Sequence, residues 1–307
     1  MHLRYDEDLV EAAVFLCVAG RHPRIPSLQI VRFNRERERL YDIIDPDGRN
    51  AAFFRLHLEW FREWGLEQLL TVPLKEFSLL REGLRLLAFR KSRTKADEGA
   101  ELYVNEAGER SGVVAIQPER LKRELGLAAF LRHELTHLQD MVDPGFGYRP
   151  ELPVTGPSLN QHRLARERYQ RLWDITIDGR LARSGRDTII TKEQRWLEFS
   201  GAFVFWTQTR REEVFRALWT SPAPTHRMLE ELTCDPSLLQ IADAPHPGSP
   251  CPLCGFPTFA WATAANLADH TVAAIRSEFP QWVPEQGVCG RCSEIYRAKR
   301  LPVMLRV

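Results

Sequence analysis

The sequence predicts an α+β fold: a mostly helical body with a small strand lobe, followed by a short cysteine-bearing module. Three observations carry this. Apolar residues recur near helical spacing over much of the chain. Two short runs rich in Val, Ile and Tyr, Ala100–Asn105 and Gly112–Gln117, flank a turn signal at Gly108. Two CxxC pairs lie beyond residue 250.

The elements follow in chain order. Residues 1–98 read as a mostly helical region packed on the core, with Glu36–Ile44 and Phe53–Leu70 near helical spacing and Trp60, Phe61 and Trp64 as core candidates. The apolar run Leu9–Ala19 is interrupted by Glu11 and is too short to span a bilayer. Residues 99–243 read as the catalytic core. The two strand runs open it, and Pro118 then starts a helix expected to reach about Val142, because Pro tolerates the first helical position. Asp143–Pro157, rich in Pro and Gly, is a loop. Ser158 is the expected N-cap of a second long helix ending near Ser184–Gly185. Ala244–Pro250 is the linker to a module over residues 251–307.

Composition excludes some classes of function. The chain has 307 residues, 44% hydrophobic and 27% charged, with a net charge of +1. No global field therefore recruits nucleic acid or an anionic membrane. The basic stretches Arg35–Arg39 and Arg163–Arg171 contain Glu and read as solvated helix faces. The polar N-terminus carries no signal-peptide pattern, which predicts a cytoplasmic location without membrane association. Four of six cysteines fall in CxxC pairs, which in a reducing compartment points to metal. Cys17 and Cys234 read as small buried hydrophobes.

The chemistry centres on His133-Glu134-Leu135-Thr136-His137. Two histidines four apart sit about 40° from each other on one helix face at 3.6 residues per turn, so both imidazoles reach one metal. Glu134 flanks that face, where a carboxylate takes a proton from a metal-activated water. Leu127, Leu131, Leu135 and Leu138 fall on the opposite face and anchor the helix.

This HExxH helix resembles that of the zincin metallopeptidases, and the likeness covers about residues 100–185. It implies a zincin-like core in which a strand lobe precedes the helix and an edge strand aligns a peptide substrate. A catalytic zinc takes three protein ligands and one open position. The metzincin third histidine would fall at Asp143, and the Spartan-like arrangement reaches only His162. The gluzincin arrangement instead puts a carboxylate ligand on a second helix, with an aspartate four residues on. Asp174 and Asp178 have that spacing within an apolar run. The likeness to gluzincins makes Asp174 the third ligand and Asp178 the partner of a ligand histidine. The reverse assignment and Glu167 stay open, as does pairing of both aspartates with Arg171 and Arg180. Tyr148, Tyr169 and Arg149 are candidates for stabilising a tetrahedral intermediate, without a specific signal.

Cys251, Cys254, Cys289 and Cys292 have knuckle spacing and suit a closed four-thiolate zinc site. The long interval between the pairs, helical over Asn266–Phe279, predicts a zinc ribbon or treble clef with an insertion. Arg291, Arg297, Lys299 and Arg300, with Trp261 and Trp282, make nucleic acid a second candidate partner for this module.

The expected function is a zinc-dependent hydrolase acting on a peptide or protein, with one catalytic and one structural Zn2+. The alternative is a nucleic-acid-associated or protein-binding zinc protein whose HExxH site is catalytically silent.

Overall fold

The computed structural model describes residues 1–20, 22, 24–123, 126–152, 159–204, 206–234, 247–280 and 282–299. Ser158, residues 244–246 of the linker and Arg300 lie outside them. The chain divides into two compact units, Met1–Tyr148 with Gly185–Ile189, and Arg149–Ser184 with Ile190–Val307. The architecture is mixed α and β, mostly helical, with a small sheet.

The first unit is built on a four-stranded sheet. Its spatial order is β1 (His2–Tyr5), β2 (Leu86–Lys91), β4 (Arg110–Ile116) and β3 (Gly99–Val104). β2 runs parallel to both β1 and β4, and β3 is antiparallel to β4, pairing from Gly99 with Ala115 to Val104 with Arg110. The two strands expected around Gly108 are thus β3 and β4. The sequence reading made residues 1–98 mostly helical, and the sheet also takes β1 and β2 from this region. The reason is physical: Leu87 and Phe89 of β2 are fully buried, and an apolar parallel strand lacks the alternation that marks a half-exposed one.

Helices cover this sheet. Asp6 precedes α1 (Glu7–Ala19), and its carboxylate accepts from the Lys91 N–H at 3.1 Å, tying the helix start to the end of β2. After α2 (Ser27–Glu38), α3 (Pro46–Glu63) begins with Asp45 accepting from the Gly48 N–H and Pro46 in the first turn. Gly65, in the left-handed region at φ +74°, separates it from α4 (Leu66–Leu74) and so divides the helix expected over Phe53–Leu70. α5 (Ser78–Gly83) leads into β2.

The helix expected from Pro118 to Val142 is also two: α6 (Pro118–Arg123) and α7 (Leu127–Val142), with Gly126 at φ +71° capping the second. Leu127, Leu131, Leu135 and Leu138 of α7 all enter the core, each contributing about 1.5–3 kcal/mol of burial. Gly112 on β4 permits this packing, since a Cβ there would lie only 3.2 Å from the Leu138 side chain.

The second unit is organised around α8 (Leu159–Arg183), which packs with α9 (Lys192–Ala202), α10 (Gln208–Thr220) and α11 (His226–Thr233). Thr191, Thr207 and Thr225 cap these last three, each hydroxyl accepting an N–H of the first turn. Gly179 lets the backbone of Trp219 approach α8, where any Cβ would overlap the Trp219 carbonyl. The C-terminal module has its own core of Leu253, Ile275, Phe279, Trp282, Val288 and Tyr296. It contains β5 (Trp261–Ala262) antiparallel to β6 (Val288–Cys289), the expected intervening helix α12 (Asp269–Glu278), and α13 (Gly290–Ala298). Among the described residues no helix is long and apolar enough to cross a membrane.

Candidate metal centres

His133, Glu134 and His137 occupy the middle of α7 and are all buried. The two imidazole centroids are 5.0 Å apart with their planes at 68°, the meeting of side chains one turn apart that the spacing requires. Thr136 donates its hydroxyl to the Arg132 carbonyl at 2.6 Å, which satisfies this polar group within the helix. Arg132 forms a forked pair with Glu76 and holds that carboxyl below the usual range.

The antiparallel edge strand β3 begins beside this helix. The Oε2 atom of Glu134 is 3.8 Å from where a Cβ on Gly99 would stand. Gly99 has φ +155°, a backbone that L side chains rarely adopt. Glu98, the residue before it, is pinned by Arg120 at 2.6 and 2.8 Å and by the Gln117 N–H at 3.0 Å. Burial raises the Glu98 carboxyl, but these donors outweigh it and hold it below its ordinary range. Arg120 in turn lies 4.2 Å from the Phe130 ring centroid on α7. Gly99, Glu98 and Arg120 went unnoticed in the sequence; the available signal was a Glu-Gly pair immediately before a strand.

His133 and His137 each offer a ligand atom within 4.8 Å of the other, and Asp174, on α8 of the second unit, is the carboxylate that the sequence reading joins to them. Two neutral imidazoles and a carboxylate form the donor set of a three-ligand zinc site. Asp174 also accepts from Gln170 at 3.1 Å and from Arg195 at 3.4 Å. Asp178 is fully buried and accepts from Nε and Nη2 of Arg195 at 2.8 and 2.6 Å. Burial opposes the Arg195 charge, but Asp174 and Asp178 outweigh it and strengthen its protonation. The guanidinium thus comes from α9, whereas the pairing left open in the sequence named Arg171 and Arg180 on α8 itself. Glu167 pairs with Arg163 at 3.3 Å on the same helix. Tyr169 and Arg149 belong to a polar chain: Tyr169 meets Nδ1 of His226 at 2.5 Å, Nε2 of His226 faces Glu230 at 2.8 Å, and Arg149 donates to Glu230 at 3.0 Å.

Cys251, Cys254, Cys289 and Cys292 also converge, with their sulfurs within 4.8 Å of one another. Cys254 and Cys289 are 3.7 Å apart, against about 3.8 Å for two sulfurs on a tetrahedral zinc at ordinary Zn–S length. Gly255, at φ +74°, closes the first knuckle by donating to the Cys251 carbonyl at 2.8 Å. Cys289 caps α13 and Cys292 lies in its first turn. A knuckle, an antiparallel pair and a ligand-bearing helix thus follow one another in the chain. The Cys289 and Cys292 N–H groups point at Cys251 and Cys289 sulfurs at 3.3 and 3.4 Å. Hydrogen bonding among the thiols pushes Cys251 up and Cys254 down, because so close a set does not ionise together without a cation.

Two sequence expectations change here. Trp282 is fully buried in the module core, with its indole N–H on the Gly287 carbonyl, and offers no stacking face. Cys17 is buried as expected, but Cys234 is exposed.

Comparison with protein-family models, with curated proteins and with solved structures finds no match for this chain.

Proposed function

We propose that this chain is a zinc-dependent hydrolase, most simply a metallopeptidase. The carrying observation is a buried HExxH helix whose glutamate faces the first residue of an antiparallel edge strand. Among the described residues β3 pairs only with β4, and an extended peptide adds naturally to such an edge.

His133, His137 and Asp174 would hold the ion, with Asp174 as the carboxylate ligand. Bound there, zinc supplies Lewis-acid activation of water and polarisation of a carbonyl. Glu134 accepts the proton of the attacking water at a carboxylate oxygen and returns it to the leaving amine. The glycine at position 99 keeps the approach to that carboxylate free of a side chain. Leu131, Leu135 and Leu138 keep the histidines on one rigid face, so little ordering remains to be done on binding. The four cysteines would hold a second, structural zinc in a closed site.

The test uses the full chain loaded with zinc, its Glu134→Gln variant, and libraries of unfolded proteins and peptides. Glu134→Gln is expected to keep its zinc and to lose about 10²–10⁴-fold of the cleavage rate. Undiminished cleavage by a zinc-replete variant overturns the assignment of Glu134. Zinc-replete wild-type protein that yields no product across the libraries shifts the reading to a silent HExxH site in a nucleic-acid-associated or protein-binding protein.

A further inference from the structure

The free edge of β3 carries side chains as well as backbone. Asn105, next after β3, donates its N–H to the Glu109 carbonyl at 3.1 Å. On the β2 side of β4, the Arg110 and Ile116 carbonyls accept from Arg85 and Ser92. Hydrogen-bonded and non-hydrogen-bonded pairs alternate along an antiparallel ladder. In the register from Gly99 on Ala115 to Val104 on Arg110, Gly99, Glu101 and Tyr103 therefore turn their N–H and C=O groups towards β4. Ala100, Leu102 and Val104 turn theirs to the open edge.

A peptide added antiparallel to that edge hydrogen-bonds to Ala100, Leu102 and Val104. Its residues opposite Glu101 and Tyr103 then fall at non-hydrogen-bonded positions, where facing Cα atoms come to about 4.5 Å and side chains meet most closely. Ala100 and Leu102 pack against the core, whereas Tyr103 is 54% exposed and the Glu101 side chain 53%. The Tyr103 hydroxyl donates to Oε2 of Glu101 at 2.5 Å, which holds the carboxylate beside the ring. The Arg90 guanidinium lies 3.7 Å from the same oxygen, and an exposed pair of that length contributes little. Oε1 of Glu101 accepts no hydrogen bond among the described residues.

We infer that β3 selects an extended peptide with a lysine or arginine opposite Glu101 and an aromatic or β-branched residue opposite Tyr103. The inference rests on the use of this edge by a peptide, as proposed above. Opposite charges facing each other across a strand pair attract and like charges repel, and an aromatic ring pairs well with another ring or a β-branched side chain. An antiparallel peptide passes Tyr103 before Glu101. Its apolar residue therefore precedes the basic one, with a single residue between them that faces Leu102. Gly99, with Glu134 beside it, lies further along the same path. Cleavage is thus expected on the C-terminal side of the basic residue.

The probes are blocked peptides with a tyrosine at the apolar position, alike except for Lys, Gln or Glu at the basic position. They compete in one tube for the zinc-loaded full chain, and the ratio of products gives the ratio of kcat/KM. The Lys peptide is expected to exceed the Gln peptide by about two- to fivefold, with the Glu peptide below both. Glu101→Lys should reverse that order, because it reverses the charge that the peptide meets. Methylating the peptide N–H of the intervening residue should abolish cleavage, since that group faces the Leu102 carbonyl. Labelled forms of the same peptides are also bound to zinc-loaded Glu134→Gln, a readout that needs no chemistry. Zinc content and circular dichroism check each variant. Should Glu101→Lys lose its fold, Glu101→Gln replaces it and should level the three peptides. Binding in the expected order without cleavage by the wild type keeps the inference and overturns the peptidase reading. Cleavage indifferent to this charge, or an order that the Glu101 variant leaves in place, overturns the inference and not the reading. Absence of both binding and cleavage overturns both.

Discussion

Asp174 and Asp178 are one helical turn apart and chemically identical, yet their surroundings assign them different work. Asp178 is fully buried against the Arg195 guanidinium. Asp178→Asn removes the nearest carboxylate from that cation and leaves it Asp174 at 3.4 Å and Glu198 at 3.1 Å, so the cost should fall below about 3–5 kcal/mol, that of a buried charge left with no partner. A lower urea midpoint with zinc content preserved is the expected result. Asp174→Asn should instead lower zinc affinity with little change in the midpoint. Zinc loss from the Asp178 variant and not from the Asp174 variant would reverse the two roles. His57 makes a residue-scale prediction of another kind. It is buried among Phe15, Phe33 and Phe53, and burial, with Arg37 nearby, lowers its pKa from 6.5 to about 4. The unfolded chain then binds a proton that the folded chain refuses. The stability contributed by neutral His57 is complete above pH 6.5 and is lost as pH falls towards 4, by on the order of 3 kcal/mol. His57→Phe should remove this part of the pH dependence, read from denaturation midpoints between pH 4 and 7.

At the scale of elements, the decisive pairing is β3 against α7. Glu98 is locked to Arg120 and Gln117, so the first residue of β3 is set in place next to Glu134. Gly99 is required by its backbone angle rather than by space, since a Cβ there would meet Glu134 only at an ordinary 3.8 Å. Gly99→Ala is expected to destabilise the protein by about 1–3 kcal/mol and to lower peptide cleavage while zinc stays bound. A variant with wild-type stability and cleavage would show that this juncture is incidental. The same scale explains the divided helices. Gly65 and Gly126 both have left-handed backbones, and each interrupts an apolar pattern that by itself reads as continuous.

For the whole molecule, the two metal groups differ in kind. On the proposed assignment, His133, His137 and Asp174 would leave one position of a zinc ion open, while four thiols would close theirs. The protein is expected to hold two zinc ions, of which a chelator removes one without unfolding. A thiol-blocking reagent should release the other and melt the C-terminal module, because the binding energy of such a site is folding energy. Cys251→Ser with Cys289→Ser should bind one equivalent. Two equivalents in that variant, measured by metal analysis after gel filtration, would exclude the cysteine site.

Both ligand patterns were legible in the sequence because metal chemistry prescribes residue types at short, fixed spacings. His133 and His137 share a face through helix periodicity alone, and a CxxC knuckle is closed by one turn. Leu127, Leu131, Leu135 and Leu138 were readable as a buried stripe for the same reason. The pairings between distant segments were not readable. β1 and β2 join the sheet although β1 is only four residues long and β2 opens on an unbroken apolar run, Leu86 to Phe89, and Arg195 reaches Asp178 from another helix when Arg171 and Arg180 were nearer in sequence. That Gly99 stands beside Glu134 is encoded by no local pattern. Local geometry follows from covalent spacing, so it is written in the order of residues. Long-range partners are chosen by which buried surfaces and charges satisfy one another in the folded chain, and that choice exists only in three dimensions.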